Sequence, residues 1–119
     1  MDITNITRVP SFITKDGSEI RELLAHRNSC IRNQTLAEAR LPPGCSTTPH
    51  RHICTEEIYY VLEGRGQMRV GDEVREVGPG DAIAIPPGYS HQITNLATGT
   101  LKFLCCCAPG YEHDDTVLE

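Results

Sequence analysis

From residue 33 onward, apolar and polar positions change places in short runs broken by glycine and proline. Runs over residues 34–41, 57–62, 67–70, 73–77, 82–85, 91–95 and 100–107 carry β-branched and aromatic residues and predict seven short strands. The breaks are turn signals: Pro42-Pro43-Gly44, Gly64-Arg65-Gly66, Gly71-Asp72, Gly78-Pro79-Gly80-Asp81 and Pro86-Pro87-Gly88. Residues 67–70 and 73–77 about Gly71-Asp72 read as a hairpin. No helical stretch separates the runs, so parallel strands with crossovers are excluded and an antiparallel sandwich or barrel is expected. Residues 1–28 are mixed and polar, with a turn at Asp16-Gly17-Ser18. Residues 18–24 fit a helical turn or an edge strand equally well.

The run Glu57-Ile58-Tyr59-Tyr60-Val61-Leu62 is apolar on both faces, Tyr59 and Val61 on one, Ile58, Tyr60 and Leu62 on the other. One face belongs to the core. The other needs cover, from the N-terminal segment or from a second subunit, and a homodimer is expected, with residues 1–28 as a candidate interface.

At 119 residues the chain has room for one domain, with its core over about residues 30–108. Its net charge of −5 and the lack of any long basic run argue against nucleic acid and membrane surfaces as partners. No apolar run approaches the ~20 residues that span a bilayer. The opening Met1-Asp2-Ile3-Thr4 is not a signal peptide, so a cytoplasmic location is expected. Six cysteines invite a disulfide framework, but Cys105, Cys106 and Cys107 are consecutive and point to alternate faces of a strand. All six are expected to be reduced thiols.

The chemistry gathers at His50-Arg51-His52, followed by Glu57, with His91 directly after the Pro86-Pro87-Gly88-Tyr89-Ser90 turn. On an extended backbone His50 and His52 point the same way, about 7 Å apart. A chain reversal at the turn would bring His91 beside them. Three imidazoles and one carboxylate make a mixed nitrogen and oxygen shell that suits Fe, Mn, Ni, Co, Zn or Cu as divalent ions. Glu57 competes with its neighbour Glu56, which points the opposite way on a strand; Glu57 shares a face with Tyr59 and Val61. Cys54 lies two residues beyond His52 and is a rival ligand. Cys105 and Cys107 share a face with Leu101 and Phe103 and are expected inside, near the site. Arg51 and Tyr59 could reach a ligand at the mouth.

The pattern Gly44-x5-His50-x-His52-x4-Glu57-x6-Gly64 resembles the first cupin motif, and Gly80-x5-Pro86-x-Gly88-x2-His91-x3-Asn95 resembles the second. Together with the 15-residue spacer they occupy residues 44–95. The chain is similar to small single-domain bacterial cupins that carry a mannose-6-phosphate-isomerase-like label, a similarity name rather than an activity. The resemblance implies an all-β jelly-roll barrel of two antiparallel sheets, with His50, His52, Glu57 and His91 holding one divalent transition metal ion. It implies a metalloenzyme for a small oxygen-bearing metabolite, of isomerase, lyase or dioxygenase type, or a metal-dependent binding or sensing module without turnover. Asn95 ends the second motif, as a turn-capping residue or behind the ligands.

Overall fold

The computed structural model describes all 119 residues. Eleven strands follow one another: β1 (Phe12–Ile13), β2 (Glu19–Leu24), β3 (Thr35–Leu41), β4 (His50–His52), β5 (Glu56–Glu63), β6 (Gly66–Val70), β7 (Glu73–Val77), β8 (Ala82–Ile85), β9 (His91–Asn95), β10 (Leu101–Ala108) and β11 (Thr116–Leu118). They form a six-stranded sheet in the order β1-β2-β3-β10-β5-β8 and a five-stranded sheet in the order β11-β4-β9-β6-β7. Every pairing is antiparallel. This is the jelly-roll barrel of two facing sheets, and the seven strands expected from the sequence are all present. No helix is long and apolar enough to cross a membrane.

The core lies between the sheets because alternate residues of each strand point inward. On β10, Leu101, Phe103, Cys105 and Cys107 are buried, while Lys102, Leu104 and Cys106 face outward. They meet Tyr59 and Val61 from β5, Ala39 and Leu41 from β3, Met68 from β6 and Ile93 from β9. The Tyr59 and Phe103 rings pack at a 40° tilt with centroids 4.6 Å apart. Strand β10 is central because it pairs with both β3 and β5.

Residues 1–28, expected to be a candidate cover, instead extend a sheet. Strand β2 pairs along β3, and β1 folds back on β2. The residues 18–24 thus resolve as a strand on the sheet's periphery, not a helical turn. The outer face of β5 remains open in the single chain, with Ile58, Tyr60 and Leu62 exposed at 50%, 42% and 40%. The Asp16-Gly17-Ser18 turn is present, with Gly17 at φ +92°. All six cysteines are free thiols.

Candidate metal centre

The site is built at one end of the barrel from strands of both sheets. His50 and His52 alternate with Arg51 on β4, so both imidazoles point inward while Arg51 turns out and pairs with Glu119. His50 and His91 stand directly opposite each other in the β4–β9 pairing, which places their ring centroids 4.2 Å apart. The turn before His91 is anchored on β4, where Gly88 donates its backbone N–H to the His52 carbonyl at 2.7 Å. Glu57 comes from the opposing sheet. Its Oε1 lies 3.2 Å from His52 Nε2 and 3.4 Å from His91 Nε2.

Each imidazole is oriented through its other nitrogen. His50 Nδ1 lies 2.8 Å from the Thr48 carbonyl and His91 Nδ1 lies 3.1 Å from the Tyr89 carbonyl. A carbonyl only accepts, so these Nδ1 atoms carry the proton. His52 Nδ1 lies 3.1 Å from Thr116 Oγ1, whose hydroxyl is already donated to the Glu112 carbonyl, so Thr116 accepts from His52. All three Nε2 atoms therefore present lone pairs inward. One nitrogen from each of His50, His52 and His91 lies within 4.8 Å of the others.

That convergence tests the fit of a cation. His52 Nε2, His91 Nε2 and Glu57 Oε1 are buried with no hydrogen-bond partner. Buried polar atoms are ordinarily paired, and leaving one unmade costs about 1–3 kcal/mol. Three acceptors facing one another are reconciled by a positive ion, and imidazole with carboxylate is a donor set for transition metals. Burial, helped by neighbouring His91, lowers the His50 pKa and favours the neutral ring. Burial raises the Glu57 pKa, but protons on the facing His52 and His91 rings outweigh it and hold the carboxyl at about 2, so in the metal-free chain those protons supply the positive charge that an ion would otherwise bring. Cys107 donates its thiol to the other carboxylate oxygen, Oε2, at 3.2 Å.

Of the remaining candidates, Glu56 is exposed and points away. Cys54 is exposed, and its backbone N–H is held by Asp115, so it stays outside the imidazole cluster. Asn95 caps a turn, donating to the Leu41 and Gly99 carbonyls and accepting from Ala97 N–H. Tyr59, Cys105 and Cys107 do line the cavity beside the cluster, as does Tyr111. Burial raises the Tyr59, Cys105 and Cys107 pKa values well above the ordinary range, so all three stay protonated.

One residue that sequence reasoning missed also reaches the site. Asp16, in the N-terminal turn, places Oδ2 3.5 Å from His50 Nε2. Its only signal in the sequence was a turn, and pairing of β2 on β3 is what carries it to the mouth.

The cavity in front of the cluster holds about 40 Å³. That is room for about three waters at roughly 10–15 Å³ each. Its wall combines Ala37, Ala39, Tyr59 and Phe103 with Asp16 and Thr35, and no Lys or Arg lines it.

Comparison with known proteins agrees with this fold. The cupin domain family matches residues 37–107. An uncharacterized protein of Methanocaldococcus jannaschii is 49% identical over 113 residues, 95% of this chain and 90% of that protein. An oxalate-binding protein of Thermotoga maritima is 33% identical over 90 residues, 76% of this chain and 74% of that protein. A crystal structure of a predicted oxalate decarboxylase from Thermotoga maritima superposes with a TM-score of 0.80 at 24% identity, covering 91% of this chain and 99% of that one.

Proposed function

The chain belongs to the cupin family, and on that premise we propose that it holds one divalent transition metal ion through His50, His52, Glu57 and His91 and uses it to bind and act on a small oxygen-bearing metabolite. The observation that carries this reading is the set of tethered imidazoles, each Nδ1 tied back and each Nε2 turned toward Glu57. Such an ion supplies Lewis-acid polarisation of a carbonyl, hydroxyl or carboxylate and, as Fe(II), oxygen chemistry, which spans isomerase, lyase and dioxygenase reactions.

The protein's own residues set the size and character of the ligand. The Tyr59 and Phe103 rings give the cavity an apolar wall. Ala37 and Ala39 leave a narrow space for a ligand of a few non-hydrogen atoms. With no Lys or Arg in the wall, recognition of an anion falls to the ion. Oxalate is the natural first probe, given the 33% identical oxalate-binding relative. The six free thiols accord with a reducing, cytoplasmic setting.

A second reading, binding without turnover, is favoured by one feature. Glu57 is held ionised and the cavity thiols are held protonated, so these groups are poor at moving a proton near neutral pH.

The test is thermal unfolding of metal-loaded and metal-free chain with oxalate and with small 2-oxo and 2-hydroxy acids. At a hundredfold excess over Kd a bound ligand adds about 2.7 kcal/mol. A stabilisation seen only with metal supports the reading. Equal stabilisation without metal, or none with any of these acids, contradicts it. Product formation from a stabilising acid separates the enzyme from the binding module.

A further inference from the structure

Glu57 and Asp16 stand in matching relations to the imidazole cluster. Glu57 has one oxygen held by Cys107 and the other turned to His52 and His91. Asp16 has Oδ1 held by three donors: Thr14 Oγ1 at 2.8 Å, Ser18 N–H at 2.9 Å and Ser18 Oγ at 2.6 Å. Its Oδ2 takes no part in that turn and faces His50 Nε2 at 3.5 Å. With Nδ1 turned to the Thr48 carbonyl, the neutral His50 ring turns its Nε2 lone pair toward Asp16 Oδ2, and a cation beside the two stabilises that arrangement.

The turn is built to hold this placement. The Asp16 backbone carbonyl accepts the Thr48 backbone N–H at 2.7 Å, two residues before His50. Gly17 takes φ +92° with its N–H on the Thr14 carbonyl. Lys15 reaches across the mouth to the His113 and Thr116 carbonyls, next to Thr116, which orients His52. The Asp16 side chain is 13% exposed.

We infer that Asp16 is a second carboxylate ligand of the ion, and that metal binding pins the Thr14–Ser18 turn over the mouth of the barrel. This rests on the metal reading above. It gives residues 14–18 a function at the site and adds a second negative charge there. With Glu57 it offsets the charge of a divalent ion.

The test uses the full chain and Co(II). Asp16→Asn keeps an oxygen for Thr14 and Ser18 and replaces the ligating one by an amide. Competition against a chromophoric chelator is expected to show at least a tenfold weaker Kd for Asp16→Asn, with a changed visible Co(II) spectrum. In the wild type, Co(II) is expected to slow hydrogen exchange at the Gly17 and Ser18 amides, and in Asp16→Asn loaded with Co(II) it is not. Equal Kd and spectra for the two proteins overturn the inference and leave the four-ligand site standing. A wild type that binds Co(II) without protecting Gly17 and Ser18 overturns it too, with no variant required. A wild type that binds no Co(II) removes both readings.

Discussion

Cys107 and Glu57 face each other directly across the β10–β5 pairing, and the Cys107 thiol donates to Glu57 Oε2 at 3.2 Å. The register of two strands thus fixes which carboxylate oxygen is engaged and which is turned to the imidazoles. Burial and the adjacent carboxylate keep the thiol protonated, so it serves as a donor rather than a nucleophile. Cys107→Ala is expected to weaken divalent-metal binding about tenfold, the lower end for a residue that orients a ligand. Cys107→Ser keeps a donor and restores most of it. Chelator competition on the three proteins checks this, and an unchanged Kd for Cys107→Ala speaks against it.

Thiol reactivity is a separate check on the same placement. Cys30, Cys45 and Cys54 are exposed and Cys105 and Cys107 are buried. In the native state iodoacetamide is expected to modify the first three and spare Cys105 and Cys107, which react only in denaturant. Peptide mass mapping reads the result. Native modification of Cys107 at the rate of Cys54 would contradict it.

The motif glycines differ in what they tolerate. Gly64 has φ +90°, and a Cβ there would lie 2.8 Å from the Thr100 carbonyl oxygen. Gly80 has φ +91° with nothing within 4 Å of its Cβ position. Gly64→Ala combines backbone strain with a clash against main chain and is expected to cost about 3 kcal/mol or more. Gly80→Ala carries strain alone, about 1 kcal/mol. Urea unfolding of both variants separates them, and equal losses would count against the close β5–β10 approach.

Acid destabilises the metal-free chain in two stages. His50 has a lowered pKa through burial and its neighbour His91, so below about pH 6.5 the unfolded chain takes a proton that the native state refuses. Stability therefore falls as pH drops through that value. Glu57 is held at about 2 against an ordinary 4.5, so its contribution is present above pH 4.5 and is lost as pH falls from there toward 2. Urea midpoints measured from about pH 8 downward should be flat at first and then decline in this order. A midpoint unchanged to about pH 5 would exclude a neutral buried His50.

The open face of β5 bears on assembly. Ile58 and Tyr60 lie beside Cys106 and Leu104 of β10 and Ala84 and Ala82 of β8, a continuous apolar surface. The N-terminal strands add to the far edge of this sheet and leave that face uncovered. We propose that a second copy of the chain covers it. Sedimentation of the wild type is expected to show a dimer and Tyr60→Glu a monomer. A monomeric wild type at micromolar concentration removes the proposal.

The central strands were legible because each is bounded by Gly or Pro and alternates cleanly, as β10 does from Leu101 to Cys107. The imidazole cluster was legible for a related reason. His50 and His52 share a face by strand parity, and the Pro86-Pro87-Gly88 turn marks where His91 re-enters. Strand β2 was not, because Glu19–Leu24 is half-buried throughout and shows no alternation to separate strand from helix. Asp16 was hidden for the same reason. Its neighbours Thr14 and Ser18 explain the turn locally, and its approach to His50 depends on how β2 docks on β3, a contact between distant segments.

Metal content of the full chain tests the central claim most directly. Wild type and His91→Ala are equilibrated with the same divalent ion, desalted and analysed for bound metal. About one ion per chain in the wild type and close to none in His91→Ala is the predicted result. Equal metal in the two proteins, or none in the wild type, contradicts the account.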